Sequence, residues 1–348
     1  MLFPGRTNVT TVSAVLAILV AGASLVLFGV WLKRQGSDEM ILTASWTGGL
    51  ALALVFAVVS FRRQPVNPIA AMAKAMRNDE FVPYYQPIVD LHTGKLLGAE
   101  VLVRWRQPDG TLLEPDAFVL LLESSGLVLD FTRKLMHRVK TEIGDAVARR
   151  PSTTIAFNVA PQHFDDAVIL NDIATIFDGS GVRLSQLVLE ITERNQVTNL
   201  TNMRRTIAAL QRVGCKVAID DVGTGHSGLS YLLKLGVDIV KIDKLFVEAI
   251  QSESHSRPII ETLIDLAKNL RMDIIAEGVE TFDQVTYLRE RGIVAAQGFV
   301  FAPPLAAATF LRLLDAMDPV PAVTVVQDSG RPAKSAGIAT AARRLMLR

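Results

Sequence analysis

Two uncharged stretches dominate the hydrophobic pattern at the start of the chain. Thr11–Leu32 (TVSAVLAILVAGASLVLFGVWL) and Ile41–Phe61 (ILTASWTGGLALALVFAVVSF) contain no ionisable residue. Each is long enough to cross a bilayer as a helix, which takes about 20 apolar residues. Only a short polar turn, Lys33–Met40, separates them. The pattern predicts a two-helix transmembrane hairpin over residues 1–66, with spans at about 11–32 and 41–61. A cleaved signal peptide is the rival reading, since Ala21-Gly22-Ala23 imitates a cleavage site. The apolar run continues well past Ala23, which fits an uncleaved anchor better. Arg62, Arg63, Lys74 and Arg77 follow the second span, and the positive-inside rule then places everything after it in the cytoplasm.

Beyond the hairpin the period changes. Asn67–Phe81 reads as a short amphipathic helix. From Val82 to Leu313 short apolar runs alternate with longer helical patterns. The strand candidates are Val82–Val89, Leu97–Arg104, Thr154–Val159, Leu187–Ile191, Val217–Asp220, Ile239–Ile242, Asp273–Ala276 and Ala295–Phe301. The clearest helical patterns are Phe118–Ser124, Thr132–Ala148, Met203–Val213, Gly228–Leu235, Arg257–Asn269 and Thr281–Arg291. Eight strands with helical crossovers suggest a (β/α)8 barrel. A doubly wound open sheet fits the same pattern. The soluble domain spans 67–318. Residues 319–348 are small, Pro-interrupted and then basic, which predicts a mostly disordered tail.

Composition changes this picture at three points. The chain has 348 residues, half of them hydrophobic, and a mean hydropathy of +0.32, more apolar than an ordinary soluble enzyme. Its formal net charge is +1, so nothing suggests a surface for a nucleic-acid polymer. The single cysteine, Cys215, excludes an internal disulfide and reads as a core thiol ahead of a strand.

Polar residues decide between the two sheets. Nearly every strand candidate carries one inside it or at its C-terminal end: Gln86, Glu100 and Arg104, Asn158, Glu190, Asp220 with Asp221, Lys241, Glu277 and Gln297. A barrel gathers strand ends around one mouth, whereas an open sheet spreads them along a line. Adjacent carboxylates such as Asp220 and Asp221 repel unless a cation compensates them. An all-oxygen donor set suits Mg²⁺ or Mn²⁺, and no pattern for a dedicated zinc site appears. Two such ions about 4 Å apart would clamp an in-line phosphoryl displacement and acidify a bridging water. Glu277 is placed to accept that water's proton. Lys241 would orient the water or offset developing charge, and Arg104 would hold a phosphate as a bidentate donor. Taken singly, Lys241 is as well explained by a barrel salt bridge, Asn158 by a strand-end turn, and the DDVGTG loop by a tight turn alone.

The segments YYQPIVDLHTGKLLGAEVLVRW, FNVAP, LEITE, AIDDVGTGHSGLSYLLKLGVDIVKID, IIAEGVET and QGFVFAPPL occur in this order between Val82 and Leu305. Together they resemble the EAL domain of bacterial cyclic di-GMP phosphodiesterases. The resemblance implies a TIM-like barrel with one antiparallel strand, and Mg²⁺- or Mn²⁺-dependent hydrolysis of cyclic di-GMP to linear pGpG. By motif position it implies Glu100, Asn158, Glu190, Asp220 and Asp221 as ligands of two ions. It implies Lys241 and Glu277 as the residues that handle water, with Gln297 in support. Gln86, Leu102 and Arg104 match substrate contacts. Glu193 matches the glutamate that holds the loop after Asp221, a loop that links dimerisation to metal binding in the family. A homodimer at the bacterial inner membrane is implied with it. The signature here reads Glu100-Val101-Leu102, with Val in place of Ala. Val222, His226 and Gly228 replace the usual Phe, Tyr and Ser of the loop. No GGDEF cyclase motif is present. The altered loop keeps open a second reading, a catalytically silent receptor for the dinucleotide or an adaptor for a protein. A third keeps the metal chemistry and changes the substrate.

Overall fold

The computed structural model describes residues 67–192, 199–220, 234–250 and 257–319. Both predicted membrane spans, the loop after Asp220 and the tail lie outside them. Among the described residues no helix is long and apolar enough to cross a membrane.

The chain enters through α1 (Pro68–Arg77) and continues into β1 (Phe81–Asp90) and β2 (Leu96–Arg106). A two-residue strand, β3 (Leu112–Leu113), then precedes α2 (Val119–Ser124) and α3 (Val128–Ala148). The rest alternates: β4 (Thr154–Asn158), α4 (Val168–Phe177), β5 (Leu187–Thr192), α5 (Leu200–Arg212), β6 (Lys216–Asp220), β7 (Ile239–Ile242), α6 (Lys244–Glu248), α7 (Arg257–Asn269), β8 (Asp273–Ala276), α8 (Phe282–Glu290), β9 (Ala295–Ala296) and α9 (Ala307–Met317). Strand order is β1-β9-β8-β7-β6-β5-β4-β2, and a β1–β2 pairing closes the ring. β3 attaches outside, on β2. β1 runs antiparallel to β2 and β9, while the pairs from β2 round to β9 are parallel. This is a barrel of eight strands with one reversed, plus one extra short strand.

Strands β5 (LVLEIT) and β7 (IVKI) are buried almost throughout, as expected where helices cover one face and the barrel fills the other. Inside, Ile88, Ala156, Val188, Ala218, Ile239 and Ile275 form one apolar plug, with Ala295 packed against it. Side chains two apart on a strand share a face. The next interior layer is therefore set by counting two from each plug residue. It holds Asn158, Glu190, Asp220, Lys241, Glu277 and Gln297, and, on reversed β1, Gln86. On β2 the same step runs from Gly98, where an added Cβ would sit 2.3 Å from the Thr154 carbonyl oxygen, to Glu100. An apolar floor thus carries a polar ceiling at the C-terminal mouth.

The outer face is packed by three helical groups. α3, α4 and α5 cover β2, β4, β5 and β6 through one cluster that includes Val101, Phe157, Leu189, Ile219 and the buried Cys215. α6, α7 and α8 cover β7 and β8 through Ile260, Ile264 and Leu288. α1 docks Met72, Ala75 and Met76 against Phe81, Val103, Phe118 and Phe131. Val101 belongs to the outer cluster, so its extra methyl groups point away from Glu100.

Several boundaries differ from the sequence reading. The expected strand Ala295–Phe301 stops at Ala296. Gly298 follows at φ +154, and its Cα lies so close to Val279 that a Cβ would meet the Val279 backbone N and O at 2.2 Å. The chain turns there instead of extending. Helices α4, α6 and α9 and strand β3 were not among the expected elements. The expected helix Gly228–Leu235 falls almost wholly outside the described residues.

Candidate active site

Lys241 sits at the centre of the polar layer with no exposed surface. Its Nζ lies 2.7 Å from Glu190 Oε2, 2.7 Å from Glu277 Oε1, 3.0 Å from Glu100 Oε2 and 3.3 Å from Asp220 Oδ1. Four carboxylates, three from strands β2, β5 and β6 and one from the residue after β8, surround one ammonium. Amides complete the network. Asn158 Nδ2 donates to Glu100 Oε1 at 2.8 Å, and Gln297 Nε2 donates at 2.7 Å to both Glu100 Oε2 and Glu277 Oε1. Glu100 and Glu190 are buried, and Glu277 is partly open, with 16% of its side chain exposed.

One positive charge does not balance four negative ones. Burial raises the Glu190 carboxyl well above its ordinary value, and Glu100 and Asp220 push it further. Burial likewise raises Glu277, with Asp220 and Glu100 adding to it. Burial would also raise Glu100, but Lys241 and hydrogen bonds from Gln297 and Asn158 outweigh it and hold that carboxyl below the ordinary range. Desolvation works against the Lys241 charge, yet the four acids hold its pKa well above normal. The crowded acids therefore tend to hold protons that a bound cation would displace.

The donor set fits a hard cation. Glu100, Glu190 and Asp220 each offer an oxygen, all within 4.8 Å of one another. Glu190 Oε1 is buried without a hydrogen-bond partner, and such an orphaned acceptor calls for an unseen ligand. Asn158, the end residue of β4, brings an amide beside Glu100. Asp221 and Glu193 lie outside the described residues.

A cleft of about 330 Å³ opens beside this cluster. Its walls include Gln86, Glu100, Leu102, Arg104, Glu277 and Gln297, so the structure brings the three expected substrate contacts next to the acids. Gln86 is held by donating to the Ala302 carbonyl at 2.9 Å. Arg104 meets Glu114 at 2.8 Å. Lys241 does not line the cleft and lies beneath it. The sequence reading missed Lys244, Glu280 and Phe299, which also line the cleft. Phe299, 66% exposed, stands directly after the Gln297-Gly298 pair, and that adjacency was a visible signal.

A family model of the EAL domain matches residues 69–304, well over half of the chain. The chain belongs to the EAL domain family. Among EAL relatives, the probable cyclic di-GMP phosphodiesterase PdeG of Escherichia coli is 35% identical over 278 residues, 80% of this chain and 54% of that protein. The cyclic di-GMP phosphodiesterase PdeL of the same organism is 34% identical over 242 residues, 69% of this chain and 67% of the relative. This EAL chain spans about half the length of PdeG and of two further Escherichia coli relatives. Among solved structures, the PaMucR phosphodiesterase in complex with c-di-GMP superposes with a TM-score of 0.65 at 27% identity, covering 70% of this chain and all (100%) of that one. The EAL enzyme Bd1971, with cAMP and cyclic di-GMP bound, reaches 0.67 at 24% identity, covering 81% of this chain and 79% of the other, which speaks for the fold alone.

Proposed function

We propose that this EAL chain is a metal-dependent phosphodiesterase that hydrolyses cyclic di-GMP to linear pGpG. One observation carries the reading: three buried carboxylates offer oxygens within 4.8 Å of one another, and one of them, Glu100, lines a cleft of about 330 Å³. The names of PdeG, PdeL and the PaMucR complex support the substrate.

Glu100, Glu190 and Asp220, with Asn158 and the following Asp221, would hold one or two Mg²⁺ or Mn²⁺ ions. Bound metal would supply Lewis acidity toward the phosphoryl oxygens and lower the pKa of the attacking water. Glu277 reaches the cleft wall, where it is placed to take the water's proton. Gln297 fixes that carboxylate and ties it to Glu100. Lys241 holds the acids together as their shared counter-charge. Gln86, Leu102 and Arg104 form the binding wall, and exposed Phe299 offers a face on which a base would stack. Attack on phosphorus breaks the P–O3′ bond, and the departing oxygen gains a proton.

The same proposal places the domain on the cytoplasmic side of a bacterial inner membrane, anchored by the two apolar stretches before residue 67, as a homodimer. The test is the full chain in detergent micelles, incubated with cyclic di-GMP and Mg²⁺, Mn²⁺ or EDTA, with the products separated by chromatography. Metal-dependent pGpG is the expected result. Bound but intact dinucleotide, with metal present, would establish the receptor reading instead.

A further inference from the structure

The walls of the cleft come from one continuous arc of the barrel. Arg104 lies on β2, Gln86 on β1, Phe299 just after β9, Glu277 and Glu280 just after β8, and Lys244 just after β7. These five strands are consecutive neighbours in the ring. Among the described residues lining the cleft, Arg104 and Lys244 are the two cations, and they stand at opposite ends of the arc. A cyclic dinucleotide carries two phosphodiesters, and in the proposed reaction the acid cluster would engage one of them.

Lys244 is held in a particular way. It opens α6 directly after the capping residue Asp243. Its side chain lies over Gly278, where an added Cβ would sit 2.4 Å from Lys244 Cγ and 2.5 Å from its Cβ. Gly278 adopts φ +62, a conformation that glycine takes without strain. The absence of a side chain there lets the lysine stem lie flat along the cleft wall. Its Nζ meets Glu280 Oε1 at 2.5 Å and Glu248 Oε1 at 3.4 Å. Lys244 and Glu280 are each nearly half exposed, and exposed ion pairs contribute little to stability. Exchanging Glu280 for another anion therefore costs little.

We propose that Lys244 is a substrate-recognition residue that leaves Glu280 to bind the phosphate of the dinucleotide that is not being cleaved. Glu280 is a built-in stand-in for that phosphate, and Gly278 is the gap that positions the lysine. This inference rests on the proposed activity on a cyclic dinucleotide. A small phosphodiester without a second phosphate gains nothing from Lys244.

The experiment compares wild type, Lys244→Met, Lys244→Arg and Glu280→Gln, each as the full chain in detergent micelles. Steady-state kinetics are measured on cyclic di-GMP and on bis(p-nitrophenyl) phosphate, with melting temperatures as a folding control. The expected result for Lys244→Met is a KM for cyclic di-GMP raised about tenfold, equivalent to about 1.4 kcal/mol, with kcat changed much less. Its preference for cyclic di-GMP over the small diester falls by the same factor. Lys244→Arg recovers most of the loss, and Glu280→Gln lowers KM because a competing anion is gone. An unchanged KM in Lys244→Met, or an equal loss on both substrates, overturns the inference and leaves the proposed function standing. Wild-type protein that cleaves the small diester but not cyclic di-GMP overturns both.

Discussion

Lys241→Met is the substitution whose outcome the structure determines most tightly. The side chain is fully buried and lies within 3.3 Å of four carboxylates. Methionine has similar length, so the change removes a charge and leaves little cavity. Removing one partner of a buried ion pair costs about 3–5 kcal/mol, because the other charges stay buried and uncompensated. In a domain of this size each kcal/mol moves Tm by about 2–4 °C, so a fall of roughly 10 °C is expected without metal. The loss depends on pH, and the sign follows from the acids. Lys241 is the largest of the influences that hold the Glu100 carboxyl below its ordinary value against burial, and losing it lets burial raise that carboxyl instead. An acid raised in the folded state favours folding at low pH, and that contribution disappears as pH rises through its folded pKa. The deficit of Lys241→Met is therefore larger at pH 7 than at pH 5. Saturating Mn²⁺ restores part of it. The assay is thermal unfolding followed by circular dichroism, in EDTA and in Mn²⁺, at both pH values. A variant that melts with wild type in EDTA at pH 7, or whose deficit is equal at pH 5 and pH 7, would refute the reasoning.

Other outcomes follow from single observations. Mg²⁺ or Mn²⁺ at a hundred times its Kd adds about 2.7 kcal/mol to wild-type stability, and Glu190→Gln, which removes an acid from the cluster, shows a much smaller thermal shift. Gly298→Ala forces a Cβ into the Val279 backbone and loses about 3 kcal/mol, read by urea unfolding, with activity falling as Gln297 is displaced. His163 is fully buried, and burial depresses its imidazole below the ordinary 6.5. The unfolded chain takes up the proton first, so stability falls as pH drops below about 6.5. In His163→Asn the slope of stability between pH 6.5 and pH 5 becomes shallower, and an identical slope would rule out that assignment. Burial pushes the Cys215 thiol up to about 12, so a thiol reagent reacts with it only after denaturant is added.

The chemical content of the site was legible along the chain because a strand has a strict period of two. Ala156 and Asn158, Val188 and Glu190, Ala218 and Asp220, Ile239 and Lys241, and Ile275 and Glu277 each place an apolar and then a polar residue on one face. A polar residue two places after a buried one, at a strand's C-terminal end, signals a barrel mouth. Helix α4 (Val168–Phe177, VILNDIATIF) did carry a helical pattern, with Asn171 and Thr175 exposed one turn apart and Ile169, Leu170, Ile173, Ala174, Ile176 and Phe177 buried, but a ten-residue run with so narrow a polar stripe gives a weak 3.6-residue signal. The last strand was drawn too long because Gly298 reverses the chain through a contact with Val279 that no local pattern records.

The sequence by itself determined which residues form the polar layer, the order of the strands that present them, and the membership of the EAL family through motifs in series. The closure of the ring was a tertiary matter, since β1 must reverse and pair with β2 on one side and β9 on the other. So was the position of Lys241, because four acids distant in sequence meet around it only once the barrel closes. The cleft wall was decided in the same way, with Lys244, Gly278, Glu280 and Phe299 gathered into one wall with Arg104 by strands that pair through space. The physical reason is range: side-chain periodicity is set by neighbours two residues apart, whereas charge balance and cleft shape arise between residues far apart along the chain.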